Sequence, residues 1–478
     1  MGRLWIDADP SGLTWTGLDC DDDLAILMAL ALDGYGRHSH ADDGTGGTRA
    51  RRTHSRTGTE HTCKLEGISI CGGNAPLKHT SANAQRLLGH VSSSSFFDRD
   101  GINVASRRLP SQPLLLPRGI GWRDMNVAWR SYRLFNRLSP DMESSDDAAH
   151  AILEAAAAAA PSAGDDNNND DDGKLTVLML GPPSNLARAL ELSTSSSAKT
   201  DSTTDLSKQL HHVVLMGGEL TGQKMDLNFM SDRAAARTVI ETLDVPTTIV
   251  PIQTCGQVAV TEEWVRKFED RCCPRAAACA LLPKMRQQVR WMPHLVNKVV
   301  RKRYEGKNNL DESRSSRWRP SPNLARGFIP WDVLALLATV RPDLFDKWEW
   351  HRASLPTCED GGDENSSLHV GREPCHGTML LGLGQTEEPD TYRGYVRIPH
   401  LVRNENEILD TAFMELACSI DGMVVEGDHQ QPALLGGFLV TGLFSLGLLL
   451  VIFLGAVYFL SPWQKHFINR FIKKSKQD

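Results

Sequence analysis

Short apolar runs recur through the first half of the chain. Each ends in a polar, glycine-bearing loop and is followed by a helical pattern. Trp5-Ile6-Asp7-Ala8-Asp9-Pro10 comes first, with an apolar stretch from Leu24-Ala25-Ile26 behind it. Leu65 to Ile70 leads through Cys71-Gly72-Gly73-Asn74 into an amphipathic stretch, Thr80 to Leu88. Leu175 to Leu180 leads through Gly181-Pro182-Pro183-Ser184-Asn185 into Leu186 to Leu192. His212 to Met216 ends in Gly217-Gly218, and Thr247 to Ile252 is a further short run. Continuous, partly β-branched runs, as opposed to strict alternation, predict parallel strands buried on both faces. The fold class is therefore α/β, a mostly parallel, Rossmann-like open central sheet flanked by helices. In such sheets ligands sit beyond the carboxyl ends of the strands. That rim collects Asp9, Asn74, Gly181 to Asn185 and Gly217-Gly218.

Other segments break the pattern. Near 36–62, 155–173, 193–207 and 359–367 the chain is polar and low in complexity, which reads as insertions that cannot offset their own ordering entropy by burial. The histidines of the first insertion (His38, His40, His54, His61) have no fixed spacing and do not suggest a metal site. The main domain then spans 1–425. From 432 to 460 no charged residue occurs, and that run exceeds the roughly 20 residues a membrane-crossing helix needs. It is expected to be a single C-terminal transmembrane anchor, followed by a basic tail over 461–478. The basic tail favours the cytoplasmic side by the positive-inside rule. The N-terminus carries no signal pattern, which favours a main domain left in the cytosol, and that is the expectation taken. One span encloses no translocation path, so transport is not the reading.

Composition adds limits. With 41% apolar and 23% charged residues, the 478-residue chain can build a sizeable core. A net charge of -7 argues against nucleic acid as a partner, because phosphate neutralisation needs a basic face. The ten cysteines are scattered; Cys272-Cys273 and Cys279 lack a second half of metal ligands, so a zinc site is rejected. Unmatched thiols suit a reducing compartment. Asn365-Ser366-Ser367 is a glycosylation triplet of chance frequency.

The densest chemistry lies where the first strand ends. Asp7, Asp9, Asp21, Asp22 and Asp23 surround one strand end and one helix start, with apolar flanks on both sides. Like charges this close raise one another's pKa unless neutralised, and a hard divalent cation neutralises them better than a helix N-terminus does. The cluster reads as a metal site.

Taken in order, these residues resemble the nucleoside hydrolases of the inosine–uridine type. Asp7-Ala8-Asp9-Pro10 with Asp21-Asp22 resembles that family's aspartate-rich signature, here split by a loop from Ser11 to Asp19. Gly73-Asn74, then Leu180 to Ala187, then Met216-Gly217-Gly218 with Asp226-Leu227-Asn228 and Asp232-Arg233, resemble the following motifs. Trp331-Asp332-Val333-Leu334-Ala335 resembles the last, and the likeness spans residues 1 to 420. It implies a ribonucleoside hydrolase that releases ribose and free base, with Ca2+ held by Asp9, Asp22, Asp332 and the carbonyl of Leu180. Asp21 would be the general base, and Asn74, Asp226 and Asn228 would hold the sugar; Asp7 would be a supporting residue on the strand, and Asp19 and Asp23 helix-start and surface charges. A nucleoside substrate and a membrane are the implied partners, and homo-oligomerisation stays open.

Three departures bear on that assignment. Asp226 stands where the family usually has a longer glutamate, and the loop Glu219 to Met225 is short, with Gln223 as the nearest stand-in for an asparagine. Trp331 stands where many members carry a histidine acid. Its indole reads either as a core side chain or as a face stacked on the base, the latter tilting towards purine nucleosides. Two other classes stay open. One is a catalytically impaired, membrane-tethered binding relative. The other is a phosphatase of the haloacid dehalogenase type, which Asp7-Ala8-Asp9 would suit but Pro10 and the Asp21-Asp22 pair would not.

Overall fold

A computed structural model describes residues 2–13, 20–33, 63–75, 77–91, 145–158, 173–196, 205–220, 226–273, 275–305, 322–355 and 379–420. The chain divides into two units, Met1–Met423 and Val424–Asp478. The second, with the apolar run 432–460 and the basic tail, lies outside the described residues, as do the insertions 36–62 and 359–367. Among the described residues no helix is long and apolar enough to cross a membrane. Two insertion boundaries move. Residues 155–157 close the helix Asp147–Ala157, and residues 193–196 close the helix Ser184–Ser196, because Ala156 and Ser193 still reach buried positions.

Among the described residues eight strands form one mixed sheet: β1 (Arg3–Ala8), β2 (Lys64–Ile70), β3 (Leu175–Met179), β4 (Leu210–Met216), β5 (Thr247–Val250), β6 (Phe345–Ser354), β7 (Leu380–Leu381) and β8 (Tyr395–Val402). Their order is β2-β1-β3-β4-β5-β8-β6-β7. From β2 through β8 the pairings are parallel, with Ile6 facing Ile68 on one side and Leu178 on the other. β6 and β7 run antiparallel at the far edge. The expected parallel sheet is therefore present, and the antiparallel edge adds to it. The chain leaves β1 towards β2 and returns to β1's other side as β3. The carboxyl end of β1 is thus a topological switch point, where an open sheet leaves a crevice.

Alternate residues of the strands feed two cores. Leu4, Ile6, Leu178 and Val214 pack with helices Asp21–Leu32 and Trp331–Val340 on one face. Trp5, Val177, Leu215 and Ile249 pack with helices Asp147–Ala157, Ser184–Ser196 and Arg233–Thr242 on the other. All of Asp21–Leu32 is buried, which explains why its sequence shows no polar stripe. Leu24, Ile26, Leu27, Met28, Leu30 and Leu32 contribute roughly 1.5–3 kcal/mol each on burial. That sum is what keeps three aspartates covered at the helix's first turn.

The cysteines differ from expectation. Cys272 pairs with Cys418 and Cys273 with Cys279, with Cα–Cα separations of 5.2 and 5.7 Å. The partner of Cys272 lies 146 positions away, so local spacing could not reveal it. These thiols are matched after all, as disulfides and not as metal ligands.

Candidate metal centre and active site

Three segments bring the carboxylates together. β1 ends at Ala8 and delivers Asp9; helix Asp21–Leu32 presents Asp21, Asp22 and Asp23 in its first turn; helix Trp331–Val340 presents Asp332 in its own. Oxygens of Asp21, Asp22 and Asp332 lie within 4.8 Å of one another, and all three residues are buried. The positive ends of two helix dipoles meet these charges. Asp9 joins through its backbone amide, which donates to Asp22 Oδ1 at 3.2 Å.

Asn74 organises the carboxylates. Its backbone amide donates to Asp9 Oδ2, and its side-chain nitrogen donates to Asp22 Oδ2 at 2.9 Å. The flanking glycines are required by contact: a Cβ on Gly181 would come within 2.7 Å of Asp9 Oδ1, and one on Gly73 would meet Asp9 Oδ2. Asp9 Oδ1 is buried without a hydrogen-bond partner among the described residues. Burial pushes the Asp9 carboxyl up to about 7; the Asn74 amide opposes this, while the charges of Asp21 and Asp7 add to it. A buried, all-oxygen donor set with one unpaired oxygen, on Asp9, fits a hard cation. The residues present therefore suit the metal that the resemblance implies.

Around this group stand two further buried carboxylates, Asp7 and Asp23. Asp7 accepts from Ser69 Oγ and from Asn185 Nδ2 (2.7 Å), and Ser69 in turn accepts from Trp5 Nε1 at 2.9 Å. Burial raises Asp7 to about 6 against those hydrogen bonds. Asp23, expected to be a surface charge, is completely buried. Its carboxylate accepts from the amides of Ser11 and Gly12 (3.2 and 2.8 Å) and from Asn83 Nδ2. It thus anchors the start of the loop that splits the aspartate motif. Asn83 lies 60 positions away, so no local signal pointed to it.

The carbonyl of Leu180 accepts from Asn228 Nδ2 at 2.5 Å, and the same nitrogen reaches the Met216 carbonyl at 3.2 Å. Asn228 thereby ties the ends of β3 and β4 together, and Leu180 retains a second lone pair. Asp226 is the N-cap of the helix Leu227–Ser231, accepting from the Phe229 amide at 2.8 Å. Burial raises it to about 6, opposed by backbone amides of Gly218, Phe229 and Asn228. Trp331 is half-buried against the first core, beside Asp332 at the helix start. Residues 221–225, including Gln223, and 14–19 lie outside the described residues.

Residues 55–402 match the family described as inosine-uridine preferring nucleoside hydrolase. Asp332 falls inside that span, while Asp9, Asp21 and Asp22 precede it and reach it through the fold. No curated protein matches the chain. Among solved structures, an inosine–guanosine nucleoside hydrolase is similar at 16% identity and a TM-score of 0.48, covering 87% of this chain and 98% of its own. The purine-preferring ribonucleoside hydrolase from Gardnerella vaginalis is similar at 16% identity and a TM-score of 0.46, covering 87% and 99%. The inosine-uridine preferring nucleoside hydrolase from Bacillus anthracis is similar at 14% identity and a TM-score of 0.45, covering 88% and 100%.

Proposed function

Because the chain belongs to the inosine-uridine preferring nucleoside hydrolase family and is a ribonucleoside hydrolase acting on N-glycosyl bonds, we propose that it converts purine ribonucleosides to ribose and free base at the Asp9, Asp21, Asp22 and Asp332 rim. The observation that carries this reading is the buried convergence of Asp21, Asp22 and Asp332 from two helix starts at the β1 switch point. The phosphatase alternative falls with the family membership.

Asp9, Asp22, Asp332 and the Leu180 carbonyl would hold Ca2+, which when bound acidifies water and neutralises the rim. Asp21 takes the proton of the attacking water. Its Oδ2 accepts from the Asp332 amide at 3.2 Å, which fixes the carboxylate's orientation. Asn74 holds Asp22 and Asp9 in register, so its removal would disturb ligands before it disturbed the sugar. Asn228 supports the Leu180 carbonyl, and Asp226 shapes the turn that carries Asn228. Trp331, not sealed in the core, would offer its indole to a purine. Burial of the rim carboxylates strengthens each electrostatic contact, and their negative charge suits an oxocarbenium-like transition state.

The run 432–460 is read as a single-pass anchor with a basic tail. For sidedness, the paired cysteines favour an oxidising compartment over the expected cytosol, and the positive-inside rule agrees with a cytoplasmic tail. Labelling of the tail in intact and permeabilised cells tests that arrangement. Release of free base from inosine, guanosine, uridine and cytidine, with and without chelator, tests the reaction.

A further inference from the structure

A second convergence of ligand-type side chains lies on the antiparallel edge of the sheet. Glu349 and His351 are two residues apart on β6 and so point to one face; His400 lies on β8, two residues beyond Ile398, which pairs with Glu349. Val396 and Ile398 belong to the second core, whereas the helices that carry the aspartates pack on the first. The three side chains therefore belong to the opposite face of the sheet from the carboxylate rim. No step of the proposed hydrolysis uses them.

Their geometry is that of a closed triangle. His351 Nε2 lies 2.9 Å from His400 Nε2 and 3.4 Å from Glu349 Oε2, and His400 Nε2 lies 3.5 Å from the same oxygen. A tetrahedral ion with bonds of about 2.0–2.1 Å has ligand–ligand edges of roughly 3.3–3.4 Å. Two edges match, and the third needs to open by a few tenths of an ångström. His351 Nδ1 lies 3.1 Å from the Gly382 carbonyl. A carbonyl only accepts, so Nδ1 carries the proton and the Nε2 lone pair faces the triangle. Backbone-carbonyl support of this kind is typical of a histidine that binds metal through its other nitrogen. His351 is 6% exposed, while Glu349 and His400 are partly open to solvent, leaving a path for an ion and a fourth position for water. Gly384 preserves the space, since a Cβ there would meet Glu349 Oε2 and come within 2.7 Å of His351 Cε1.

From these observations we propose that Glu349, His351 and His400 bind a divalent transition ion of the zinc class, pinning β6 to β8. Two imidazoles and one carboxylate favour such an ion over calcium, which prefers oxygen alone. The competing account is a metal-free cluster in which His400 Nε2–H donates to His351 Nε2.

Cobalt titration of the chelator-stripped full chain distinguishes the two. The proposal predicts intense visible d–d bands of tetrahedral cobalt, saturating at one ion per chain and displaced by zinc. They should persist under excess calcium and in Asp22→Asn, whose substitution lies at the other site. In His351→Ala, His400→Ala and Glu349→Gln the bands should vanish or zinc binding weaken by at least ~10-fold. Glu349→Gln preserves shape and hydrogen bonding, so it keeps the test decisive should a histidine variant misfold by circular dichroism. Absence of tetrahedral bands in the parent chain, or unchanged zinc affinity in Glu349→Gln and His400→Ala, would overturn the proposal.

Discussion

The backbone amide of Asp332 donates to Asp21 Oδ2 at 3.2 Å, joining two helix starts that are 311 residues apart in the chain. A carboxamide oxygen could still accept that hydrogen bond, so Asp21→Asn should preserve the fold while removing the basicity. We expect its kcat to fall by roughly 10²–10⁴-fold. Circular dichroism and metal content should stay at parental levels. Activity within a factor of about three of the parent would show that the base is another group.

Asp226 separates a capping role from a sugar-binding one. Its carboxylate caps the helix Leu227–Ser231, and asparagine caps nearly as well as aspartate. Asp226→Asn should therefore keep the fold, whereas Asp226→Ala should cost about 1 kcal/mol through the lost cap. The folded carboxyl sits at about 6, above its ordinary value. The folded state thus holds the proton more tightly, and stability from this group is fully present below about pH 4 and is lost as pH rises through 6. Asp226→Asn should flatten that decline, worth on the order of 2–3 kcal/mol, when melting is followed from pH 4 to 7.5. An unchanged pH slope would remove Asp226 as its source.

The strand-then-helix order, the parallel sheet and the rim were legible because consecutive buried strands leave unbroken apolar runs. The buried cluster of Asp9, Asp21 and Asp22 was legible because a strand end and a helix start with apolar flanks carry it, whereas Asp332, far along the chain, was pointed to only by the family resemblance. Less could be read where partners are distant. Asp23 looked like a surface charge because its acceptor role depends on Asn83 and on loop amides. The strand Phe345–Ser354, next to the sheet's edge, mixes charged and aromatic residues, since it is half-exposed and antiparallel, and so it lacks the continuous apolar signature. The link that the Asn228 amide nitrogen makes between two strand ends joins residues 48 and 12 positions away, which no local pattern carries.

Closing a loop across 146 residues, the Cys272–Cys418 disulfide constrains the unfolded chain strongly. Cys418→Ser should lower stability by roughly 3–5 kcal/mol, seen as a Tm drop of several degrees. Reduction of the parent protein should reproduce most of that drop. Equal melting of oxidised and reduced protein would exclude a stabilising bond.

Trp331→Ala probes base preference. If the indole stacks on a purine, kcat/KM for inosine and guanosine should fall by at least ~10-fold, with a smaller loss for uridine and cytidine. Equal losses for all four would assign Trp331 to packing alone.

The most direct test of the central claim is base and ribose release by the purified full chain from those four nucleosides, with calcium and after chelation. The account predicts turnover that is highest for purines, disappears on chelation, returns with calcium and is absent in Asp21→Asn. No release from any nucleoside by folded, calcium-loaded protein, or release indifferent to chelation, would contradict it.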